Sequence, residues 1–204
     1  MYIPLQYRNE NLGEVRNFLA ENPFGILVNQ LDNRPWATHI PLLLETDTTG
    51  KDYLVGHISK ANPQWKAFSN AAKVLCIFSG PHAYISSSWY KEEEVPTWDY
   101  IAVHVYGSLE VQNNQELEDS LDQLMKRFES GMECPVVFSE LSRNTLRQIR
   151  GIVGFKITVE EVQAAYKLSQ GRPDDHYSIL SKLQQSGDPS ALAVARAIEK
   201  FAPR

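Results

Sequence analysis

Hydrophobic positions recur along this chain with two periods, and the switches between them mark out its elements. Near the start, Leu12, Val15 and Leu19 share one helical face behind Asn11 and Glu14, which are spaced as a capping box, and Asn22-Pro23 ends the segment. From Phe24 the period shortens. Segments 24–31, 36–45, 53–58, 74–78, 101–111 and 152–159 are rich in apolar and β-branched residues and read as strands, the third following a Thr-Thr-Gly-Lys-Asp turn. The 74–78 run is continuously apolar, as in a strand covered on both faces. The strands follow one another mostly without long helical crossovers, which predicts an antiparallel barrel or sandwich rather than a parallel βαβ sheet.

The helical period returns over 113–130, where Leu117, Leu121, Leu124, Met125 and Phe128 keep the spacing of one buried face. Two further helices are predicted in the tail. One spans 173–185 with acidic residues in its first turn, and the other starts at Asp188-Pro189, an N-cap followed by a proline at N1, and runs to Pro203. The predicted fold is therefore β-rich α+β: a barrel domain over 1–160 that includes the N-terminal helix, and a helical appendage over 161–204 packed on it. Gly80-Pro81 and Val95-Pro96 read as turns.

Composition narrows the classes. With 43% hydrophobic and 22% charged residues in 204, the chain is neither disordered, collagenous nor coiled-coil. No apolar run approaches the ~20 residues of a membrane span. The start Met1-Tyr2-Ile3-Pro4-Leu5 has no basic or apolar leader character, so the expected compartment is cytoplasmic. Cys76 and Cys134 make neither a disulfide framework nor a zinc spacing. A net charge of −5 lacks the basic signature of nucleic-acid binding. The charge is uneven, however. Residues 91–133 hold eleven Asp/Glu against three Lys/Arg, whereas 143–172 hold six Lys/Arg against two Glu, which leaves room for a local anion site.

Three features carry candidate chemistry. His82, Tyr84, Trp89, Tyr90, Trp98, Tyr100, His104 and Tyr106 crowd into one stretch, readable either as core plus interface or as a stacking platform for a planar ligand beside the hydroxyls of Ser86, Ser87 and Ser88. Gly56 to Trp65 leaves a strand through donor-rich side chains, readable either as a phosphate cradle or as a turn capped by Ser59. Arg143, Arg147 and Arg150 form an i, i+4, i+7 stripe, either solvated or facing phosphates or an acidic partner surface. No histidine pair has metal-chelating spacing, and P-loop, GxGxxG and GxSxG motifs are absent from the sequence.

Taken in order, MYIP, NPFGILV, ATHIPLLL, GHISKANPQW, FSGPHAYISSSWY, VPTWDYIAVHVYG, IVGFKI and KLSQGR resemble the PaiB family of FMN-binding negative transcriptional regulators, from Met1 to about Arg172. The resemblance implies a split β-barrel of the kind shared with pyridoxamine phosphate oxidases and flavin reductases, and a homodimer with FMN near the subunit interface. It implies that Thr38, His39 and Ile40 lie along the isoalloxazine and that His57, Ser59, Lys60 and Asn62 reach the ribityl chain and phosphate. Trp65, Trp89, Trp98 and Tyr100 would wall the pocket, and Lys167, Ser169 and Gln170 would approach from the side. Three positions depart from the family pattern: Ser87, Asp99 and Gly171 stand for Pro, Asn and Asn. A carboxylate at Asp99 near a phosphate costs free energy unless a cation intervenes. The functions left open are a flavin-binding regulator, an FMN-dependent oxidoreductase of the flavin-reductase or pyridoxamine-phosphate-oxidase type, and a split barrel for another planar ligand such as haem. Direct DNA contact finds no support in the net charge or in a helix-turn-helix.

Overall fold

The computed structural model of the chain describes residues 1–68 and 71–202. Seven strands carry the fold: β1 (Phe24–Leu31), β2 (Arg34–Pro41), β3 (Leu43–Thr46), β4 (Asp52–Ser59), β5 (Ala72–Ile85), β6 (Thr97–Val111) and β7 (Ile152–Lys167). They form one antiparallel sheet in the order β2-β1-β5-β6-β7-β4-β3. Asp32 and Asn33 both take positive φ between β1 and β2, the two-residue type I′ turn that matches strand twist. The expected antiparallel β core is thus present, with three local corrections. The last strand, expected over 152–159, runs on to Lys167, so the stretch expected as a helical appendage from 161 begins as strand. The segment expected as one strand over 36–45 is two strands, β2 and β3, interrupted at the fully buried Leu42. The turn expected at Gly80-Pro81 is instead a phase change inside β5, where burial passes from Val74, Cys76 and Phe78 to Ala83 and Ile85.

Two compact units make up the chain, and β5, β6 and β7 each contribute to both. The barrel unit comprises Leu19–Ile77 and Val105–Val162. Its two edge strands, β2 and β3, are separated in sequence only by Leu42, so the sheet has to curl until its edges meet. Leu27, Leu42, Leu54, Phe155 and Ile157 fill the interior. A Cβ on Gly107 would stand 2.4 Å from the Thr158 carbonyl oxygen, so the approach of β6 to β7 there requires glycine. Helix α1 (Leu12–Glu21) is the expected N-terminal helix, and helix α2 (Asn114–Glu129) begins as a full capping box: Asn113 Oδ1 accepts from the Glu116 N–H and Glu116 Oε2 accepts from the Asn113 N–H. Of the apolar face expected to be buried, only Leu117 is, and Phe128 is exposed.

The second unit comprises Met1–Phe18, Phe78–His104 and Gln163–Arg204. The tail expected as two helices contains α4 (His176–Gln185), entered by a 3-10 turn at Pro173–Asp175, and α5 (Pro189–Phe201). Asp188 caps α5 by accepting from the Ser190 N–H, and Ser190 Oγ donates to the His82 carbonyl of β5. Ile179, Leu183, Val194, Ala195 and Ile198 bury the helical pair, and Tyr166 meets Phe18 and Phe201 edge-on. Pro203, the expected end of the last helix, lies outside the described residues. Among the described residues, no helix is long and apolar enough to cross a membrane.

Candidate functional site

In the barrel unit, Thr38, His39 and Ile40 lie on β2, where alternation leaves Thr38 half-buried, His39 exposed and Ile40 buried. The His39 ring stacks on the exposed Phe24. His57, half-buried on β4, has its imidazole pushed below the ordinary range by burial, which favours the neutral ring. Beyond it the chain leaves the strand as the sequence indicated. Ser59 Oγ accepts from the Ala61 N–H, Asn62 caps a 3-10 turn over Pro63–Ala67, and Trp65 Nε1 donates to the Lys60 carbonyl.

That turn places a residue which motif reasoning passed over. Gln64 is wholly buried, and its Nε2 donates to the Leu27 carbonyl (3.1 Å) and to Asn29 Oδ1 (3.0 Å). Its Oε1 accepts from the Thr38 hydroxyl, whose oxygen in turn accepts from Asn62 Nδ2 at 2.8 Å. Thr38 and Asn62, 24 positions apart, are therefore joined through one amide network. Asn29 completes it, and its Nδ2 is buried without an acceptor. The signal that could have found Asn29 was present: it sits in the inward phase of β1 with Gly25 and Leu27, a polar break in apolar alternation.

Lys60 turns elsewhere. Its Nζ donates to the Arg150 carbonyl at 2.6 Å and lines a cavity of about 480 Å³ with Arg143, Arg147 and Arg150. The i, i+4, i+7 spacing of the three arginines suggests one short helix, but they follow each other through α3 (Arg143–Leu146) and a 3-10 turn at Arg147–Gly151. Ser142 starts the segment by accepting from the Thr145 N–H.

In the second unit, the aromatic stretch is more open than a core. Trp98 is 50% exposed and Tyr84 49%, and Trp98 packs against both Tyr84 and His82 while its Nε1 donates to His82 Nδ1 at 3.3 Å. Trp89, in a short 3-10 turn, and Tyr100, on β6, are half-buried. Between Trp98 and Tyr100 the side chain of Asp99 points inward and is fully buried. Ser169 Oγ donates to its Oδ2 at 2.6 Å, and Lys167 Nζ stands 3.4 Å from its Oδ1. The same ammonium donates to Thr97 Oγ1 (2.6 Å) and the Trp98 carbonyl (2.8 Å). Burial raises the Asp99 carboxyl above its ordinary value, with Ser169 and Lys167 pulling it back. The cation that a carboxylate at this position needs is supplied by the chain. Ser169 itself adopts a left-handed backbone, φ 56°, and its carbonyl binds His176 Nε2 at 2.9 Å. Gln170 is also engaged locally, donating to the Tyr166 carbonyl and accepting from the Leu168 N–H.

Whether these residues suit a flavin can be judged from what they leave unsatisfied. A planar heterocycle offers carbonyl acceptors, and the orphaned Asn29 amide beside Thr38 is a donor of the kind such an acceptor or an ordered water satisfies. A phosphate needs unpaired cations, and the arginine cavity supplies them. The donor set of the barrel unit fits the group. No cluster of three His, Cys, Asp or Glu side chains suited to a metal ion occurs among the described residues.

Comparison with known proteins agrees with this chemistry. The family described as "Putative FMN-binding domain" matches residues 1–161. Protease synthase and sporulation protein PAI 2 of Bacillus subtilis is 43% identical, over 98% of this chain and 97% of its own. An uncharacterized protein of Saccharomyces cerevisiae, YKL070W, is 34% identical over 53% of this chain and 77% of its own. Among solved structures, the FAD and heme binding protein of Mycobacterium smegmatis aligns with a TM-score of 0.60 at 17% identity, over 79% of this chain and 73% of that one. The flavocytochrome Anf3 of Azotobacter vinelandii aligns with a TM-score of 0.61 at 15% identity, over 79% and 69%. These two establish a shared fold, and the expected split β-barrel is the fold observed. The chain belongs to the FMN-binding PaiB family, and the cofactor that family assigns to it is FMN.

Proposed function

We propose that the protein is a flavin-responsive negative regulator of transcription of the PaiB type, with FMN held by the barrel unit. The observation that carries this reading is the amide network that ties Thr38 on β2 to Asn62 beyond β4 and leaves the Asn29 donor unsatisfied. Thr38, His39, Ile40 and His57 contact the ring and ribityl chain. Ser59, Lys60 and Asn62 shape the turn that follows, with Trp65 packed on the Lys60 carbonyl. Bound FMN supplies redox chemistry and an absorbing, planar ring, while these residues orient it and limit its access to water. In the second unit, Trp89, Trp98 and Tyr100 offer aromatic surface, and Lys167, Ser169 and Gln170 serve first to stabilise the segment around Asp99.

A homodimer is part of the same proposal, supported by the exposed Tyr84, Val95 and Trp98 of the second unit, the residue types that obligate interfaces cover. With a net charge of −5, regulation is exerted chiefly through a protein partner or flavin state rather than a broad basic DNA face. The test is reconstitution of the purified chain with FMN, followed by desalting, absorbance spectroscopy and light scattering. Retained flavin on a dimer is the expected result. A chain that retains no flavin, or one that carries a haem Soret band instead, overturns the reading.

A further inference from the structure

We infer that Arg143, Arg147 and Arg150 seat the phosphate of the flavin and are the residues by which this protein distinguishes FMN from riboflavin. The inference rests on the flavin reading above and concerns residues to which that reading gives no role. None of the three guanidinium groups has a hydrogen bond or ion pair among the described residues, yet all three line one cavity of about 480 Å³ together with Lys60. The hydrogen bond from Lys60 Nζ to the Arg150 carbonyl fixes the ammonium on the same rim. Four cations thus converge where the lining offers a single carboxylate, Glu118.

Such an arrangement is unfavourable by itself. Like charges at i, i+4 and i, i+3 repel, by an amount that solvent limits because all four cationic side chains are exposed. A bound dianion adds an attraction to each cation that outweighs this repulsion, and planar guanidinium forks match phosphate oxygens in pairs. Ser59 and Asn62 of the Gly56–Trp65 segment are engaged within the chain, Ser59 with the Ala61 N–H and Asn62 with Thr38 and Gln64. Lys60 is the residue of this segment that lines the cavity, so ring contacts and phosphate contacts follow one another along the same segment.

The α2 residues that line the cavity also limit what can enter. Helix α2 carries five Asp/Glu against two Lys/Arg, and Glu118 faces the cavity. A long polyanion such as duplex DNA would lie against this acidic helix, whereas a compact phosphate avoids it.

The test titrates flavin-free full-length protein with FMN and, separately, with riboflavin at fixed ionic strength, following flavin fluorescence. Wild type, Arg147→Ala, Arg150→Ala and Lys60→Ala are compared, with circular dichroism to establish folding. The expected result is that wild type prefers FMN, that each substitution lowers FMN affinity by about ten- to a hundredfold, and that riboflavin affinity stays unchanged in the two arginine variants. Inorganic phosphate is expected to compete with FMN and to leave riboflavin binding untouched. Unchanged FMN affinity in both arginine variants, or an equal loss of FMN and riboflavin, overturns the inference and leaves the flavin reading standing. Wild-type protein that binds neither flavin removes the reading on which it rests.

Discussion

Two charged clusters in this protein stand in opposite states. Around Asp99 in the second unit, the charge is fully buried and answered from within the chain, by Ser169, Lys167 and the neighbouring Thr97 hydroxyl and Trp98 carbonyl around the ammonium. Around Arg147 in the barrel unit, three guanidinium groups border a cavity with no partner among the described residues. Both clusters come from segments whose letters read as ligand donors. The difference shows that a donor-rich motif becomes a binding site only when the fold leaves its donors unanswered. In the first cluster the chain has already supplied what a ligand would supply.

The contrast breaks most readily at Lys167. Among the described residues its ammonium is the one cation beside a carboxylate that is 0% exposed, so Lys167→Met strands a buried charge. Removing one partner of a buried pair costs about 3–5 kcal/mol. Urea unfolding at neutral pH is expected to show a loss of that size, while Asp99→Asn, which keeps an acceptor for Ser169, loses far less. A loss below about 1 kcal/mol, the scale of exposed ion pairs, would mean that Asp99 is answered by solvent and that the cluster is not closed.

A somewhat smaller effect is expected at Gln64. Gln64→Met preserves the volume but removes the donor for the Leu27 carbonyl and Asn29 Oδ1 and the acceptor for Thr38. Unsatisfied buried groups cost about 1–3 kcal/mol each, partly relieved by water. The thermal midpoint should fall and FMN affinity should fall with it, because Thr38 loses its anchor. If stability drops while FMN affinity holds, the network supports the barrel without positioning the flavin.

Much of this was legible in the letters. Alternation located β1 with its observed bounds, capping residues located α2 and α5, and the spacing of strands separated antiparallel from parallel topology. Local patterns failed where a tertiary contact decides. Gly80-Pro81 has turn chemistry, yet β5 runs through it, with Gly80 so close to Phe18 that a Cβ would stand 2.7 Å from its ring. The arginine stripe was visible, but its convergence with Lys60 depends on a hydrogen bond across 90 positions. Asn29 and Asp99 share an overlooked signal, a polar side chain in the inward phase of an apolar strand. Such breaks cost free energy unless answered, so they point to networks. What the letters cannot convey is whether the answer comes from the chain or from a ligand, because that depends on which distant segment folds over them.

The smallest expected effect is also the sharpest measure of how closed the Asp99 cluster is. Burial raises the Asp99 carboxyl above its ordinary value of 3.8, outweighing the opposing pull of Ser169 and Lys167. Between 3.8 and the raised native value, the folded protein holds this proton more often than the unfolded chain does. The stability contributed by the group is therefore fully present below 3.8 and is lost as pH rises through the native value. Asparagine at this position carries no titrating proton, so the stability of Asp99→Asn relative to wild type should rise with pH over that window and then level off. Paired urea midpoints of the two proteins, taken from below 3.8 toward neutrality, measure it directly. A relative stability that falls with rising pH would mean that Lys167 and Ser169 overcome the desolvation of the carboxylate. The cluster would then act as a net stabilising ion pair, and its contrast with the unanswered arginines would be greater than burial alone implies.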